Sequence, residues 1–526
     1  MNHRIRRFLV VAVMSLFILP LAVHAQTPDA NTIVIAQGVD ISSFDPSAAN
    51  SRSDTNILGH IFATLYEVDD GGKFVPYLAK SYTQSADGKD WTFELNSGLT
   101  CSDGEALTAD DVAYSFQRVS DPANAFTGNT TGFVLPSIGY TGVKVVDDTH
   151  VTIETNIKQS EPLRLGLISE VYIHCKDSYS KMSLADAAKT AVSSGPYKLV
   201  EWVPDDHVTL QKVDGFTLRK ANFDTMIWRV IPEASTRTAE LLAGNVDIIA
   251  NVSPDQIDAI NNSGTATVQS VAGTRRIYVG FQFSDAFKDS PGWAQLQKTD
   301  VRVALQYAID VPTICKTLLG TDCTRASSMV NPPNDDPNLT PYPYDPKKAE
   351  ALLDAAGYPR GADGVRFETT LMAPRGRYLN DVNVAQAIGQ YLTDVGVKTT
   401  VDLRDWTSDY VPLLGTKSIG PLFLLGSGGG TWSALYDMAD ISAPDAGTNY
   451  TNWNNPDWFK LWNAVQGVDP ATEKTMVNQM LEIFYKDPPW LLLYFQPDFY
   501  GVSKRVDWKA RRDEQIVITD ATLASS

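Results

Sequence analysis

Apolar and polar positions alternate from the beginning of the readable fold. Thr32-Ile33-Val34-Ile35-Ala36 reads as a buried strand, and Ser43-Phe44-Asp45-Pro46 supplies the turn that closes it. From Asn56 to Leu65 the period lengthens, with Ile57, Leu58, Ile61, Phe62 and Leu65 at helical spacing. Trp91-Thr92-Phe93-Glu94-Leu95 then alternates with period two after the turn pair Asp87-Gly88, which predicts a hairpin strand. Thr108 and Asp111 have the spacing of a capping box, and Val112, Ser115, Phe116 and Val119 mark the face of the helix it opens. Gly142 to Val146 and His150 to Thr155 predict two strands around the Asp147-Asp148 turn.

A sharp turn at Ser193-Ser194-Gly195-Pro196-Tyr197 leads into a second hairpin, Lys198 to Trp202 with Val208 to Leu210. Ala239 to Leu242, Gly244-Asn245 and Val246-Asp247-Ile248 read as helix, C-cap and strand. A new region begins near Arg275 with a strand from Ile277 to Phe283 and a helix from Asp300 to Ile309. Asp345 as N-cap, Pro346 at the first helical position and Gly357 past the end frame another helix. A strand from Phe367 to Met372, a helix from Asn383 to Leu392 and a strand from Val397 to Leu403 continue the α/β theme, with no short-period repeat.

At 526 residues the chain exceeds the roughly 250 to 300 at which one core stops growing, so at least two lobes are expected. The formal net charge is −18, and removing Arg4, Arg6 and Arg7 takes it to −21. Such a surface repels phosphate backbones and argues against nucleic acid as a partner. Those three arginines precede an apolar run from Phe8 to Leu19, then Pro20 and small residues at Val23-His24-Ala25, the pattern of a signal peptide over 1–25. No Cys follows the run, so an exported protein without a lipid anchor is expected, in the periplasm.

Export favours oxidised cysteines. Cys315 and Cys323, a short turn-like stretch apart, are predicted to pair, and Cys101 with Cys175 stays open. Zinc finds no Cys-x-x-Cys, and His60, His150, His174 and His207 are scattered singly. Neither metal nor other cofactor is expected. The loop Gly426-Ser427-Gly428-Gly429-Gly430 lacks the Lys-Ser/Thr of a phosphate loop, and Ser427 lacks the spacing of a nucleophile elbow. It reads as a binding or turning loop, with Ser427 and Gly428 as candidate contacts. Asp110-Asp111 and Asp335-Asp336 fit capping and solvation, so no catalytic constellation emerges and the chain is not expected to be an enzyme.

Several of these segments are similar, in the same order, to the family 5 extracellular solute-binding proteins of ABC importers, the oligopeptide and dipeptide type. They are Ala79-Lys80-Ser81-Tyr82, Ser102-Asp103-Gly104-Glu105, Leu107 to Val112, Ser194-Gly195-Pro196-Tyr197, Gly244-Asn245-Val246-Asp247, Val301 to Leu305 and Tyr344 to Ala349. The resemblance spans nearly the whole mature chain. It implies an α/β fold of two lobes joined by a hinge: lobe I over 26–274 with an inserted subdomain at about 60–190, lobe II over 275–487, and a return to lobe I over 488–526. It also implies a monomer that takes up a peptide or small solute by closure and delivers it to an inner-membrane permease with its ATPase subunits.

Ligand contacts are expected at Ser43 and Phe44, which end the first strand, although a plain structural turn explains them equally. Arg375 or Arg377 would pair with a ligand carboxylate, and Trp432 is the preferred aromatic contact. One departure matters. The resemblance places a Trp and an Asp that takes the ligand ammonium at Ser427 and Gly430, so the carboxylate is missing; Asp437 is nominated to replace it. Equally, the ligand need not present a free ammonium, which favours a sugar-like, opine-like or capped-peptide ligand. The alternative within binding proteins is a non-peptide solute such as an opine, an oligosaccharide, a glutathione-like thiol or chelated nickel, although the sparse histidines argue against direct nickel ligation. A secreted hydrolase is the alternative of another class.

Overall fold

The computed structural model describes residues 29–49, 51–428, 433–444 and 446–525, so the predicted export segment lies outside the described residues. Ten strands form one mixed sheet. From one edge to the other they are Val397–Asp405, Phe367–Arg375, Leu422–Ser427, Ala266–Phe281, Trp490–Ser503, Ile248–Ile249, Thr32–Gln37, Thr225–Val230, His207–Lys212 and Tyr197–Val203. The alternation of the first strand has a direct meaning. Ile33 and Ile35 enter one hydrophobic cluster while Val34 and Ala36 enter the other, so the two cores lie on opposite faces. Among the described residues no helix is long and apolar enough to cross a membrane.

The strands Ala266–Phe281 and Trp490–Ser503 run antiparallel from Ala266↔Ser503 to Gly280↔Trp490 and tie the halves of the sheet together. Their register breaks between Ala272 and Arg276 and again before Tyr278. The change of region read near Arg275 therefore falls inside a continuous strand, at its irregularity. Gly273 sits there because a Cβ would run into the Gln496 carbonyl and the Asp498 carboxyl.

The family-like segments have local physical jobs. Asp247 accepts from the Val34 backbone N–H at 2.9 Å and pairs with Arg505 at 2.7 Å, tying the first strand to the tail. Gly195 donates its N–H to the Ile61 carbonyl at 2.8 Å, and a Cβ at Gly195 would also press on that carbonyl. Ser194 accepts from the Ala63 N–H at 3.1 Å. These bonds end the first helix, which spans Arg52–Ile61 rather than Asn56 to Leu65. Its start is also earlier, because Ser51 and Asp54 form a capping box.

The Thr108/Asp111 box opens Ala109–Ser120 as read. Beside it lies a separate four-stranded sheet, in the order Ala79–Gln84, Trp91–Leu95, His150–Thr155 and Tyr140–Asp147. Two disulfides are formed: Cys315–Cys323, with Cα atoms 5.6 Å apart, and Cys101–Cys175, at 6.2 Å.

Candidate ligand-binding site

A cavity of about 760 Å³ lies where the first helix, the crossing strand Ala266–Phe281 and the chain's end meet. Arg52 and Thr55 enter from the helix, Thr274, Arg275 and Tyr278 from the crossing strand, and Glu514 from the tail. Asn129, Phe133 and Glu170 come from around the inserted sheet; Arg377, Trp406, Ser427, Tyr436 and Asp440 come from the far half. Volumes of roughly 300 to 1,000 Å³ are typical of small-molecule sites.

One wall is basic. The Arg275 guanidinium pairs with Glu514 and donates from Nη1 to the Gly426 carbonyl at 2.9 Å. Arg377 reaches the same carboxylate at 3.4 Å and lies 4.9 Å from the Tyr378 ring centre and 5.7 Å from that of Trp406. Burial alone would raise the Glu514 carboxyl, but the two guanidiniums overcome it and hold the group ionised. Behind it, burial and the Glu514 charge push the Asp498 carboxyl well up, against the pull of Gln496, Arg275 and Arg377. Two arginines thus share one carboxylate. The Nε of Arg377 has no partner among the described residues.

A second group of lining residues is acidic. Glu170 accepts from the Asn129 amide and from the Tyr436 hydroxyl. Burial raises its carboxyl to about 7, with Arg52 pulling the other way and Asp440 reinforcing the rise. Asp440 accepts from the Ser427 hydroxyl, which in turn accepts from Arg276 at 2.9 Å. Burial raises this carboxyl too, against the pull of Arg276, the Ser427 bond and Arg275. Arg52 completes the rim, its Nη1 3.4 Å from Thr55 Oγ1 and its Nε buried without a partner among the described residues.

The expected contacts divide. Arg377, Ser427 and Gly428 line the cavity. Arg375 is exposed at the end of its strand and does not. Ser43 and Phe44 are also away from the wall: Ser43 Oγ accepts from the Asp45 N–H at 3.0 Å, and Phe44 packs edge-on against Trp202 at 5.4 Å. Their neighbour Asp45 explains the turn. It caps Pro46–Ala48 and binds Arg118 at 2.6 Å; burial alone would raise its carboxyl, but His174 and Arg118 hold it well below the usual range.

Asp437 lies outside the cavity lining and is committed elsewhere. Its Oδ2 is 3.0 Å from Arg276 Nη1 and accepts from the Asn331 N–H at 2.7 Å. Trp432 and Gly430 lie outside the described residues. Glu170, Asp440, Arg52 and Arg275 were not singled out in the sequence, yet two signals were present. Arg275-Arg276 directly precedes the apolar strand segment Ile277 to Phe281, and Glu170 is the one acid in the mostly apolar stretch from Leu163 to Ile173.

Comparison with known proteins agrees with this architecture. Residues 73–449 match the family model described as bacterial extracellular solute-binding proteins, family 5, middle part. The glutathione-binding protein GsiB of Pectobacterium atrosepticum is 27 % identical over 507 residues, covering 93 % of this chain and 92 % of the relative. Among solved structures, a dipeptide-binding protein from a Pseudoalteromonas species, in complex with Met-Leu, superposes with a TM-score of 0.83 at 21 % identity, covering 94 % of this chain and all of the other. The binding protein AgaA of A. tumefaciens, in complex with agropinic acid, does so with a TM-score of 0.82 at 22 % identity, covering 94 % and 99 %. With its ten-stranded sheet, its inserted four-stranded sheet and the cavity where its two halves meet, this chain has the two-lobed binding-protein fold and belongs to the family 5 bacterial extracellular solute-binding proteins.

Proposed function

We propose that the chain is the periplasmic solute-binding component of an ABC importer. It captures a short peptide or peptide-like solute by closure of two lobes about the crossing strands and presents the closed form to a membrane permease with its ATPase subunits. Lobe I is formed by 26–274 and completed by 488–526, and lobe II by 275–487; the protein works as a monomer and does not alter its ligand. The observation that carries this reading is the cavity where the halves meet, lined by Arg52, Glu170 and Glu514 from the first half and the tail and by Arg377, Ser427 and Asp440 from the far half. Ligand groups that touch residues of both lobes are satisfied only when the lobes are together, so binding energy goes into closure.

A glutathione-like solute is favoured within this reading, because GsiB relatives match along nine-tenths of the chain at about one residue in four. Native mass spectrometry of protein purified gently from its host is expected to release one small peptide-like solute. Incubation of that protein with a peptide mixture is expected to leave every peptide intact. Turnover would replace the binding reading with a hydrolase. Sequencing of the secreted protein's N-terminus is expected to begin close to Gln26.

A further inference from the structure

We propose that the Cys315–Cys323 disulfide is a redox-addressable brace of the ligand site, acting through Asn380 as a positioning residue. It holds the loop that seats the far half against the first half and anchors the turn that carries Arg377, and a small thiol that opens it loosens both. The proposal concerns control of the site and holds whatever solute the site takes.

The position of the bridge carries it. Cys315 lies in the helix Val311–Leu318, and Cys323 follows the turn Leu319 to Asp322. Within that turn Gly320, at φ +67°, packs on Pro254 of the first half; a Cβ added there would stand 2.5 Å from the Pro254 Cβ. The last carbonyls of a helix have no intrahelical partner and look outward for donors. Here the Leu318 carbonyl accepts from the Asn380 side-chain amide at 2.8 Å. Asn380, at φ +54°, stands directly before the helix Asp381–Asp394. Asp381 in turn accepts from the backbone N–H groups of Arg377 at 2.9 Å and Tyr378 at 3.1 Å. Arg377 lines the cavity, and its carbonyl accepts from the Asn251 side chain of the first half at 3.4 Å. A short chain of bonds thus joins the end of the bridged helix to the cavity wall. The end itself is fixed by the Leu319 and Thr321 N–H groups on the Cys315 carbonyl, at 3.0 and 3.4 Å, and by the disulfide from the same residue.

The two disulfides differ in access and in what they hold. Cys101 and Cys175 are both buried, and their bond closes a separation of 74 residues. Cys315 is buried too, but Cys323 is partly exposed, and their bond closes 8. Exchange requires a thiolate to reach a sulfur, so attack enters at Cys323. A short loop also contributes less to the stability of the whole chain, so opening it leaves the molecule folded. The reductant's thiolate attacks Cys323 Sγ, and the S–S electron pair leaves on Cys315 Sγ. A second thiolate displaces Cys323 from the mixed disulfide. Two thiols become one disulfide, the bridge gains two electrons, and the protons shed by the thiols end on Cys315 and Cys323. The turn at Gly320 is then free to leave Pro254, and Leu318 no longer fixes Asn380.

Dithiothreitol titration of the native, ligand-free protein tests this, read by alkylation with mass spectrometry and by hydrogen–deuterium exchange. The 315–323 bridge is expected to open at a concentration that leaves 101–175 closed. The amides of Arg377 and Tyr378, and that of Leu379, which donates to Gln496 at 3.1 Å, are expected to exchange about tenfold or more faster once it opens. Amides of the strand Trp91–Leu95 are expected to stay as they were. Asn380→Gly keeps the left-handed backbone and removes the amide; it is expected to show the fast exchange while still oxidised, with no further rise on reduction. S-methylglutathione, which has no free thiol, is expected to bind the oxidised protein about tenfold or more tightly than the reduced one. Prior opening of 101–175, unchanged exchange at 377–379 after 315–323 opens, or equal affinity of both forms for S-methylglutathione overturns the brace. If neither form binds this probe, the glutathione-like solute falls instead, and the exchange result alone decides the brace.

Discussion

Arg276 and Asp437 are each fully buried, and the ion pair they form sits directly behind the basic wall. Removing one member of such a pair leaves the other charge without compensation, which typically costs about 3 to 5 kcal/mol. Asp437→Asn is therefore expected to lower the urea midpoint strongly while leaving the ratio of affinities for a free and an N-acetylated ligand unchanged. A variant of wild-type stability that loses only this ratio would instead place Asp437 at the ammonium. The sequence could not separate the two roles, because both need a carboxylate on this turn; only the position of Arg276, far away in the chain, decides between them. Glu170 makes a second residue-scale prediction. Its folded carboxyl titrates near 7, above the ordinary 4.5, so between those values the folded state holds a proton that the unfolded state has lost. Stability of the ligand-free protein is expected to fall as pH rises through this window, and Glu170→Gln should flatten the slope. Burial sets the rise first; Arg52 and the Asn129 amide oppose it and Asp440 adds to it, each from a different segment, with the Tyr436 hydroxyl and Tyr172 also facing the carboxyl. Affinity for an ammonium-bearing ligand should move oppositely, rising as Glu170 ionises. Calorimetry and thermal melts at pH 5 and pH 8 measure both trends; parallel trends would remove Glu170 from the site.

Elements whose ends are written in local chemistry were legible. The Thr108/Asp111 box, Asp345 with Pro346, and Gly357 at φ +91° all act as the sequence implies. Elements fixed by distant partners were not. The crossing strand runs over Ala266–Phe281, yet only its last third carries a buried apolar pattern, since the Thr267 to Ala272 stretch gains its strand character from pairing with Val502 to Pro497. The first helix is similar: its apolar spacing continues to Leu65, but Gly195 and Ser194 take over the backbone after Ile61. The disulfides differ in the same respect. Cys315–Cys323 closes a separation of 8 residues, whereas Cys101–Cys175 closes 74 and pins the loop before the Ala109–Ser120 helix to the segment after Ile173. In the chain-entropy model the longer loop contributes roughly 4.5 kcal/mol and the shorter roughly 2.5. Paired Cys→Ser substitution at 101 and 175 is thus expected to lower the melting temperature more than the same change at 315 and 323. The reverse order would mean that native-state strain, and not loop closure, governs these bonds.

At the scale of the molecule, the two-lobed plan was readable from short motifs in order, whereas the surfaces across which the halves meet were not, because they are built from residues with no distinctive local pattern. Gly132 and Gly447 illustrate this. The Gly447 N–H donates to the Gly132 carbonyl at 3.0 Å, and a Cβ added at Gly447 would stand 2.5 Å from the Gly132 Cα. Phe133 next to it meets Tyr436 edge-on at 5.6 Å, and Tyr436 in turn donates to Glu170, so the backbone contact and the acidic wall belong to one seam. Neither glycine is needed for a left-handed turn, since neither has a positive φ; what each provides is room for the other's backbone. If this seam forms only when the lobes close, a side chain there acts on closure alone. Ligand affinity depends on the closed population, so a substitution that lifts the closed state by ~1.4 kcal/mol weakens apparent binding about tenfold without touching a ligand contact. Gly447→Ala is therefore expected to keep the wild-type melting temperature without ligand, to bind glutathione or its other solute about tenfold or more weakly, and to show a smaller ligand-induced contraction in small-angle scattering. Wild-type contraction with wild-type affinity would show that the Gly132–Gly447 contact is not part of closure.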